Sequence, residues 1–172
     1  MAELRDLYDV NRNLVGKTIK KGDIVPYGLY YLVVVVFIQN NLGKFLIQKR
    51  SLEKGGKWAT TGGHPKTGES SIDGIITEVK EEIGIDLDRT KLKLFKTVHD
   101  EDCFCDLYYI NMEVDLSHIK LQKEEVSDIM WFSKEEIDNL IENNEFHKTH
   151  ILMYRDCLEY LEKGDKENGK CN

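Results

Sequence analysis

The sequence predicts an α/β fold, in which a mixed β-sheet is covered by helices. Three observations support this prediction: a valine-rich apolar run at residues 29–38, alternating apolar segments later in the chain, and helical periodicity across residues 70–85. Strands interspersed with a few helices pack as a sheet with helical layers. A chain of 172 residues is long enough for one domain with a sizeable core.

The predicted elements follow one another with short connections. Residues 29–38 form a strand buried on both faces, and residues 45–50 complete a hairpin with it. A short strand at residues 58–61 leads into a glycine-containing loop at residues 62–68. The other predictions are strands at 91–98, 104–114 and 129–132, and helices at 70–85, 133–143 and 147–162. We expect one domain over residues 1–163, followed by a polar tail at residues 164–172.

Composition and charge exclude several classes of protein. The hydrophobic content of 41% and the charged content of 32% are those of an ordinary soluble domain, and the net charge of −7 disfavours nucleic-acid binding. The N-terminus lacks the apolar core of a signal peptide, and the run at 29–38 is too short for a membrane span. We therefore expect a cytoplasmic protein without a membrane partner. Cys103 and Cys105 would fit either a metal or redox pair or two incidental thiols.

The helix at residues 70–85 separates an apolar face from an acidic face. On a helical wheel its apolar residues form one stripe that must face the core: Ile72, Ile75, Ile76, Val79 and Ile83. Glu78, Glu81 and Glu82 cluster roughly 120° around from that stripe. Their i,i+3 and i,i+4 spacing brings the carboxylates together, and Mg²⁺ prefers carboxylate oxygens. The helix therefore predicts a metal site, although a solvated acidic face has the same pattern.

A glycine loop leads directly into this helix. Gly63 and Gly68 flank the loop, and Glu69 stands at the start of the helix, where the macrodipole favours a carboxylate. Gly74, on the carboxylate side, weakens the helix by about 1 kcal/mol relative to alanine. Its lack of a side chain leaves room for the loop or for a phosphate to approach.

These residues resemble the signature of the Nudix hydrolase family. The signature is glycine, five residues, glutamate, seven residues, and then arginine-glutamate-apolar-any-glutamate-glutamate-any-glycine-apolar. The positions in register are Gly63, Glu69, Glu78, Val79, Glu81, Glu82, Gly84 and Ile85. Thr77 stands in place of the arginine, which in the family helps hold the glutamates, and Lys66 replaces a glutamate frequent in the loop. The similarity covers about residues 3–162 and extends to a bacterial subgroup that is itself similar to isopentenyl-diphosphate isomerase.

The resemblance implies a Nudix fold, an α/β/α sandwich with a mixed sheet, and metal-dependent cleavage of a diphosphate linkage. By resemblance, Mg²⁺, with Mn²⁺ as a substitute, is held by Glu78, Glu81, Glu82 and the Gly63 carbonyl. The same glutamates are catalytic, with Glu78 or a residue outside the helix as general base, and Glu69 orders the loop. The expected partner is a small molecule, a nucleoside diphosphate or its derivative. Many relatives form homodimers, and the sequence leaves the oligomeric state open.

Further residues are candidates for substrate binding or catalysis. Lys49 and Arg50 end a strand that, by resemblance, runs beside the site, so one of them would grip a phosphate. A solvated strand end explains them nearly as well. His64 in the glycine loop would contact metal or phosphate, or cap the loop. Glu124 and Glu125 precede the last strand, where some family members place an additional catalytic carboxylate.

Two other functions fit parts of the pattern. Isopentenyl-diphosphate isomerase shares the stretch at residues 63–65, but such isomerases carry a cysteine acid where this chain has Gly62. They also place metal-binding histidines in a stretch that corresponds to Tyr30 and Tyr31 here. Without these groups the isomerisation has no proton donor. A catalytically weak ligand-binding module is the second alternative, which Thr77 alone supports because all three signature glutamates remain.

Overall fold

The structure of the chain, a computed structural model, describes residues 3–168. Its strands are β1 (Leu4–Tyr8), β2 (Leu14–Lys20), β3 (Tyr31–Gln39), β4 (Phe45–Arg50), β5 (Trp58–Ala59), β6 (Thr61–Gly63), β7 (Lys93–His99), β8 (Cys103–Asn111) and β9 (Val126–Phe132). Its helices are α1 (Ser71–Ile83), α2 (Lys134–Glu142) and α3 (Lys148–Asn168), with short 3-10 helices at Leu52–Lys54 and Leu116–His118. Across the described residues, no helix is long and apolar enough to cross a membrane.

A mixed sheet of seven strands forms the centre of the molecule. Strands β3 and β8 run parallel, and β7 pairs with β8 in the antiparallel direction. Strand β4 turns back from β3 but pairs with it only between Gln39 and Phe45, and it also pairs with β9 and β5. Strand β6 pairs with β3, with Gly62 opposite Val35. Strands β3 and β4 therefore diverge, and the segment carrying β5 and β6 fills the space between them.

The side chains of β3 alternate between two helical layers. Val34, Val36 and Ile38 pack with the apolar stripe of α1 on one face of the sheet. Val35 and Phe37 pack with residues of α2 and α3 on the other face. All five are at most 2% exposed, as expected for a strand covered on both sides. This arrangement confirms the predicted α/β/α sandwich with a mixed sheet.

An N-terminal hairpin of β1 and β2 forms a separate two-stranded sheet, which the sequence pattern does not predict. Tyr8 exchanges two backbone hydrogen bonds with Tyr30, at 2.7 and 2.9 Å, so the hairpin is attached to the chain just before β3. Strand β2 is mostly exposed and lacks the apolar alternation by which strands are recognised. Its structure depends on contacts with distant parts of the chain.

Several predicted boundaries differ from the observed ones; strand β9, for example, begins at Val126 and not at residue 129. Gly62 and Gly63 belong to β6 and not to a loop, because a glycine at position 62 lets the backbone lie against β3; a Cβ there would be 2.5 Å from the Val34 carbonyl oxygen. The strand predicted to reach residue 114 ends at Asn111. Helix α3 continues to Asn168, past the expected start of the tail, and residues 169–172 of that tail lie outside the described part of the chain.

Candidate active site

One polar cleft of about 230 Å³ brings most of the predicted site together. Helix α1, the glycine loop and the end of β4 contribute to its walls. The predicted residues that line it are Arg50, Gly63, His64, Glu78, Glu81, Glu82 and Glu125. Lys49, Glu69 and Glu124 are not among the lining residues. The glutamate helix and the glycine loop therefore line one cleft.

Local sequence fixes the position and rotation of α1. Ser70 caps the helix through a capping box, and Gly84 ends it in the left-handed conformation at φ 74°. Within the predicted apolar stripe, Ile75, Val79 and Ile83 have no exposed surface, whereas Ile72 and Ile76 are partly buried against the same core. Because this stripe faces the sheet, the acidic face is directed toward the cleft.

Glu82 is the most deeply buried of the three glutamates, with 8% of its surface exposed. Its carboxylate accepts a hydrogen bond from Gln48 Nε2 at 2.9 Å, and Gln48 Oε1 accepts one from Thr61 Oγ1 at 2.9 Å. Burial raises the pKa of Glu82 to about 7, against the opposing effect of the Gln48 hydrogen bond. A bound cation would favour the ionised form.

Glu78 occupies the space that Gly63 leaves open. A Cβ at position 63 would overlap the Glu78 carboxylate, so no larger residue fits while the glutamate holds this position. The same carboxylate accepts the backbone N–H of His64 at 3.0 Å. Burial raises the pKa of Glu78, and the His64 N–H lowers it in part.

Glu81 lies at the exposed side of the cleft and forms an ion pair with Lys66 of the glycine loop. Both partners are substantially exposed, so the pair contributes little to stability. The ammonium group of Lys66 therefore pairs with the same Glu81 carboxylate that a bound cation would need.

Glu69 is hydrogen-bonded to the glycine loop, consistent with the loop-ordering role that the resemblance implies. It accepts the backbone N–H of Lys66 at 2.8 Å and the hydroxyl of Thr77 at 2.8 Å. Thr77 thus contacts a carboxylate of the signature, but it brings no positive charge to the cleft.

The glycine loop is held on two sides. Pro65 packs against Gly74 so closely that a Cβ at position 74 would lie 2.5 to 2.9 Å from proline atoms. The sequence offered two reasons for a glycine at position 74, room for the loop or room for a phosphate. The structure shows the loop in that space. On the other side, Leu4 O accepts the Thr67 N–H at 3.0 Å, and Asp6 Oδ2 accepts the Gly68 N–H at 2.8 Å.

The structure separates the two basic candidates at the end of β4. Arg50 lines the cleft, and its Nε donates to the Lys54 carbonyl at 3.1 Å. Lys49 instead lies with its ammonium 5.7 Å from the centre of the Trp58 ring. Successive strand residues point to opposite faces, so only one of the two can face the cleft. Of the two candidates, Arg50 is therefore the one placed to meet a ligand in the cleft, and its role in binding substrate stays a prediction.

His64 lines the cleft with a neutral ring. Burial, followed by the charges of Arg5 and Lys21, lowers its pKa to about 3. Its ring lies 5.6 Å from that of Tyr31, centre to centre. A neutral imidazole offers one N–H donor and one acceptor to a ligand.

Several residues of the cleft were not singled out in the sequence. Gln48 and Thr61 lie on strands, and no motif marks them. His150, at the start of α3, lines the cleft with its Nδ1 2.5 Å from Thr60 Oγ1, and burial lowers its pKa to about 3. Glu125 lines the cleft, whereas Glu124 does not. The sequence named these two glutamates together, and only the fold distinguishes them.

The donor set suits a hard divalent cation, although it is not fully assembled. Carboxylates and a backbone carbonyl are the oxygen ligands that Mg²⁺ prefers. Within residues 3–168, however, no three histidine, cysteine, aspartate or glutamate side chains already form a metal-binding group. Each glutamate is held by its own protein partner: Glu78 by His64, Glu81 by Lys66, and Glu82 by Gln48.

Comparison with known proteins agrees with the geometry. The sequence pattern of the NUDIX domain matches residues 29–154. An uncharacterized Nudix hydrolase of Listeria monocytogenes is 38% identical over 146 residues, which are 82% of this chain and 86% of that protein. Isopentenyl-diphosphate Delta-isomerase 2 of Photorhabdus laumondii is 28% identical over 159 residues, which are 90% of this chain and 81% of the isomerase.

A solved structure from Deinococcus radiodurans has the same fold, with a TM-score of 0.72 at 20% identity, and the match covers 89% of this chain and 98% of that one. The domain pattern spans well over half of the chain, and the Listeria relative is similar over most of both chains. The chain therefore belongs to the Nudix hydrolase family.

Proposed function

We propose that this chain hydrolyses a diphosphate linkage, in a nucleoside diphosphate or a derivative of one, with Mg²⁺ as cofactor and Mn²⁺ as a substitute. The observation that carries the proposal is the pair Glu78 and Glu82. Both carboxylates are withdrawn from water in one cleft, and within the described chain neither forms a salt bridge. Buried charges in proteins are paired or coordinate metals. A divalent cation is the partner that both carboxylates lack.

The residues of the cleft supply binding and orientation. Arg50 would bind a phosphate oxygen, because its guanidinium is held on the cleft wall and guanidinium groups match phosphate geometry. His64 offers a neutral N–H donor beside Glu78. When bound, a divalent cation would neutralise the diphosphate, orient water and stabilise charge on the bridging oxygen.

Glu125 is our candidate for the general base, with Glu78 as the alternative. A general base must reach the water and keep a proton-accepting carboxylate free of the cation. Glu125 lines the cleft from a segment other than α1, and Lys54 holds its carboxylate at 3.0 Å. The glutamates of α1 are then left to bind the cation.

Among the described residues, the cleft lacks the cysteine acid of the isomerase alternative. The described cysteines, Cys103, Cys105 and Cys157, are buried and none lines the cleft. The isomerase cysteine would fall at Gly62, where even a Cβ would lie 2.5 Å from the Val34 carbonyl. We therefore favour hydrolysis over isomerisation, even though isomerases are among the relatives.

The ligand-binding alternative is favoured by Lys66, which engages Glu81 in an ion pair, and by Thr77, which is uncharged. A module of this kind would bind a diphosphate compound without cleaving it. Hydrolysis and binding are separated by measuring products as well as affinity.

The test is to incubate the full chain with Mg²⁺ and a panel of nucleoside diphosphates, nucleoside triphosphates, nucleotide sugars and dinucleotides, and to identify products by mass. Glu82→Gln should lose most turnover and keep its melting temperature, because the Gln48 hydrogen bond has an acceptor in either side chain. Glu124→Gln, on an exposed side chain outside the cleft, is the control. Normal turnover by Glu82→Gln contradicts the ligand assignment. Binding without products from any compound supports the ligand-binding module instead.

A further inference from the structure

The N-terminal hairpin buries an arginine beside the cleft. Arg5, in β1, is only 7% exposed, and its Nε has no hydrogen-bond partner. Its guanidinium carbon lies 5.1 Å from the centre of the Tyr31 ring. In the described part of the chain, no hydrogen bond or salt bridge joins the Arg5 side chain to a carboxylate.

A buried guanidinium without an anion is an unfavourable arrangement. Arginine does not lose its proton at neutral pH, so it cannot avoid the cost of burial by becoming neutral. The contact with Tyr31 offsets only part of that cost. An anion from outside the chain would supply the partner that the guanidinium lacks.

The residues on either side of Arg5 accept hydrogen bonds from the glycine loop. Leu4 O accepts the Thr67 N–H at 3.0 Å, and Asp6 Oδ2 accepts the Gly68 N–H at 2.8 Å. These two hydrogen bonds join the hairpin to the loop that carries His64. Arg5 is held in a defined place relative to the cleft.

Arg5 adjoins the cleft through Tyr31, although it is not itself among the residues that line it. The Tyr31 ring that Arg5 contacts at 5.1 Å also packs against the ring of His64, 5.6 Å away between centres, and His64 lines the cleft. Lys21, which follows β2 in the same hairpin, also lines the cleft and forms no salt bridge within residues 3–168. The hairpin thus brings two cations that form no ion pair within residues 3–168 to one side of the site, where the Glu3 carboxylate also lines the cleft.

We propose that Arg5 binds a phosphate group of the substrate, with Lys21 adding charge at the rim, and that the N-terminal hairpin thereby favours substrates with a free terminal phosphate. Nucleoside di- and triphosphates have such a group, whereas both phosphates of a nucleotide sugar are esterified. The hairpin precedes residue 29, where the match to the NUDIX domain begins. The inference rests on the proposed hydrolysis, and it names the class of substrate.

Binding of inorganic pyrophosphate to the full chain, measured by calorimetry in metal-free buffer, tests the contact without requiring turnover. Arg5→Met should weaken binding by about ten-fold or more, the usual loss for a hydrogen bond to a charged group. Arg5→Lys should restore part of the affinity, because it returns the charge without the planar fork. Lys17→Met, which removes an exposed charge from the same hairpin, should leave binding unchanged.

The melting temperature separates ligand binding from a structural role. If Arg5 serves the ligand, Arg5→Met removes an unpaired buried charge and should melt at the same temperature or higher. If Arg5 instead holds the hairpin, the variant should melt lower. Should Arg5→Met fail to fold, Arg5→Lys and Lys21→Met still report on pyrophosphate affinity, and unchanged affinity in both overturns the proposal.

Steady-state kinetics tests the preference for a terminal phosphate. Arg5→Met should raise KM for a nucleoside diphosphate much more than KM for a nucleotide sugar. Equal effects on the two substrates, or no effect on pyrophosphate binding, overturn the proposal and leave metal-dependent hydrolysis intact. Conversely, Arg5-dependent pyrophosphate binding with no hydrolysis of any compound contradicts the proposed function and leaves the anion site standing.

Discussion

Gln48 holds the carboxylate of Glu82 through its side-chain amide, at 2.9 Å from Nε2 to Oε2. The Thr61 hydroxyl donates to the other end of the amide, at 2.9 Å, and so turns the NH₂ group toward the glutamate. A neutral donor orients the carboxylate but does not cancel its charge. Glu82 therefore keeps the charge that the proposed cation site needs, whereas an arginine or lysine in the place of Gln48 would oppose a cation there.

We predict that Gln48→Met lowers kcat or the apparent Mg²⁺ affinity by roughly ten- to a hundred-fold, as is usual for residues that orient a metal ligand. Methionine has a similar volume but cannot donate to Glu82. Gln39→Met is the control, because Gln39 lies at the end of β3 beside the turn and outside the cleft. Full activity of Gln48→Met at low Mg²⁺ concentrations would show that Glu82 needs no such support.

The adjacent glutamates before β9 should behave differently from each other. We predict that Glu125→Gln lowers kcat by roughly a hundred-fold or more, the range for loss of a general base, with a small change in KM. Glu124→Gln should have normal kinetics, because its side chain is exposed and outside the cleft. Steady-state rates of the two variants test this prediction. If both variants turn over at the same rate, Glu78 becomes the candidate for the general base.

The sequence alone predicted the parts of this site that lie close together along the chain. Helical periodicity separated the stripe of Ile75, Val79 and Ile83 from the glutamates, and burial agrees. The capping box at Ser133 is also present. Such features depend on neighbours within one turn of helix, which the sequence displays directly.

What the sequence could not predict depends on contacts between distant segments. Alternation along β4 shows that Lys49 and Arg50 face opposite ways, but only the packed sheet shows which faces the cleft. Gln48 carries no local signal because its partners are on β6 and α1. The hairpin that carries Arg5 was missed for the same reason, since β2 is mostly exposed and is ordered by pairing with β1.

Gly74→Ala should destabilise the protein even though it improves helix propensity. In an exposed helix the change would stabilise by about 1 kcal/mol. Here the new Cβ would lie 2.5 Å from Pro65 Cγ, and relieving such overlap typically costs about 1–3 kcal/mol. Urea unfolding measures whether the substitution lowers or raises the free energy of unfolding. Gly164→Ala in α3, where nothing lies within 4 Å of the added Cβ, should be neutral or stabilising. A stabilised Gly74→Ala variant would show that the loop moves aside easily.

Asp106 should make stability depend on pH in the acid range. It is fully buried, and although burial acts to raise its pKa, hydrogen bonds from Arg12, Ser71 and Thr97 hold the pKa below its usual value. The distances include 2.8 Å from Arg12 Nη1 and 2.7 Å from Thr97 Oγ1. This network joins the N-terminal hairpin to β7, β8 and the start of α1.

Because the folded state favours the ionised Asp106, its contribution to stability is complete above the unfolded aspartate pKa of about 3.9. The contribution is lost as the pH falls below that value, toward the lower folded pKa. Asp106→Asn should cost on the order of 3 kcal/mol at pH 7, as for other broken buried pairs, and the difference from the natural chain should shrink in acid. Urea unfolding between pH 7 and pH 3 measures the loss of stability at pH 7 and its decrease in acid. Asp23→Asn, at an exposed residue, should follow the natural chain throughout, and a constant difference for Asp106→Asn would mean that the aspartate is not held ionised by its network.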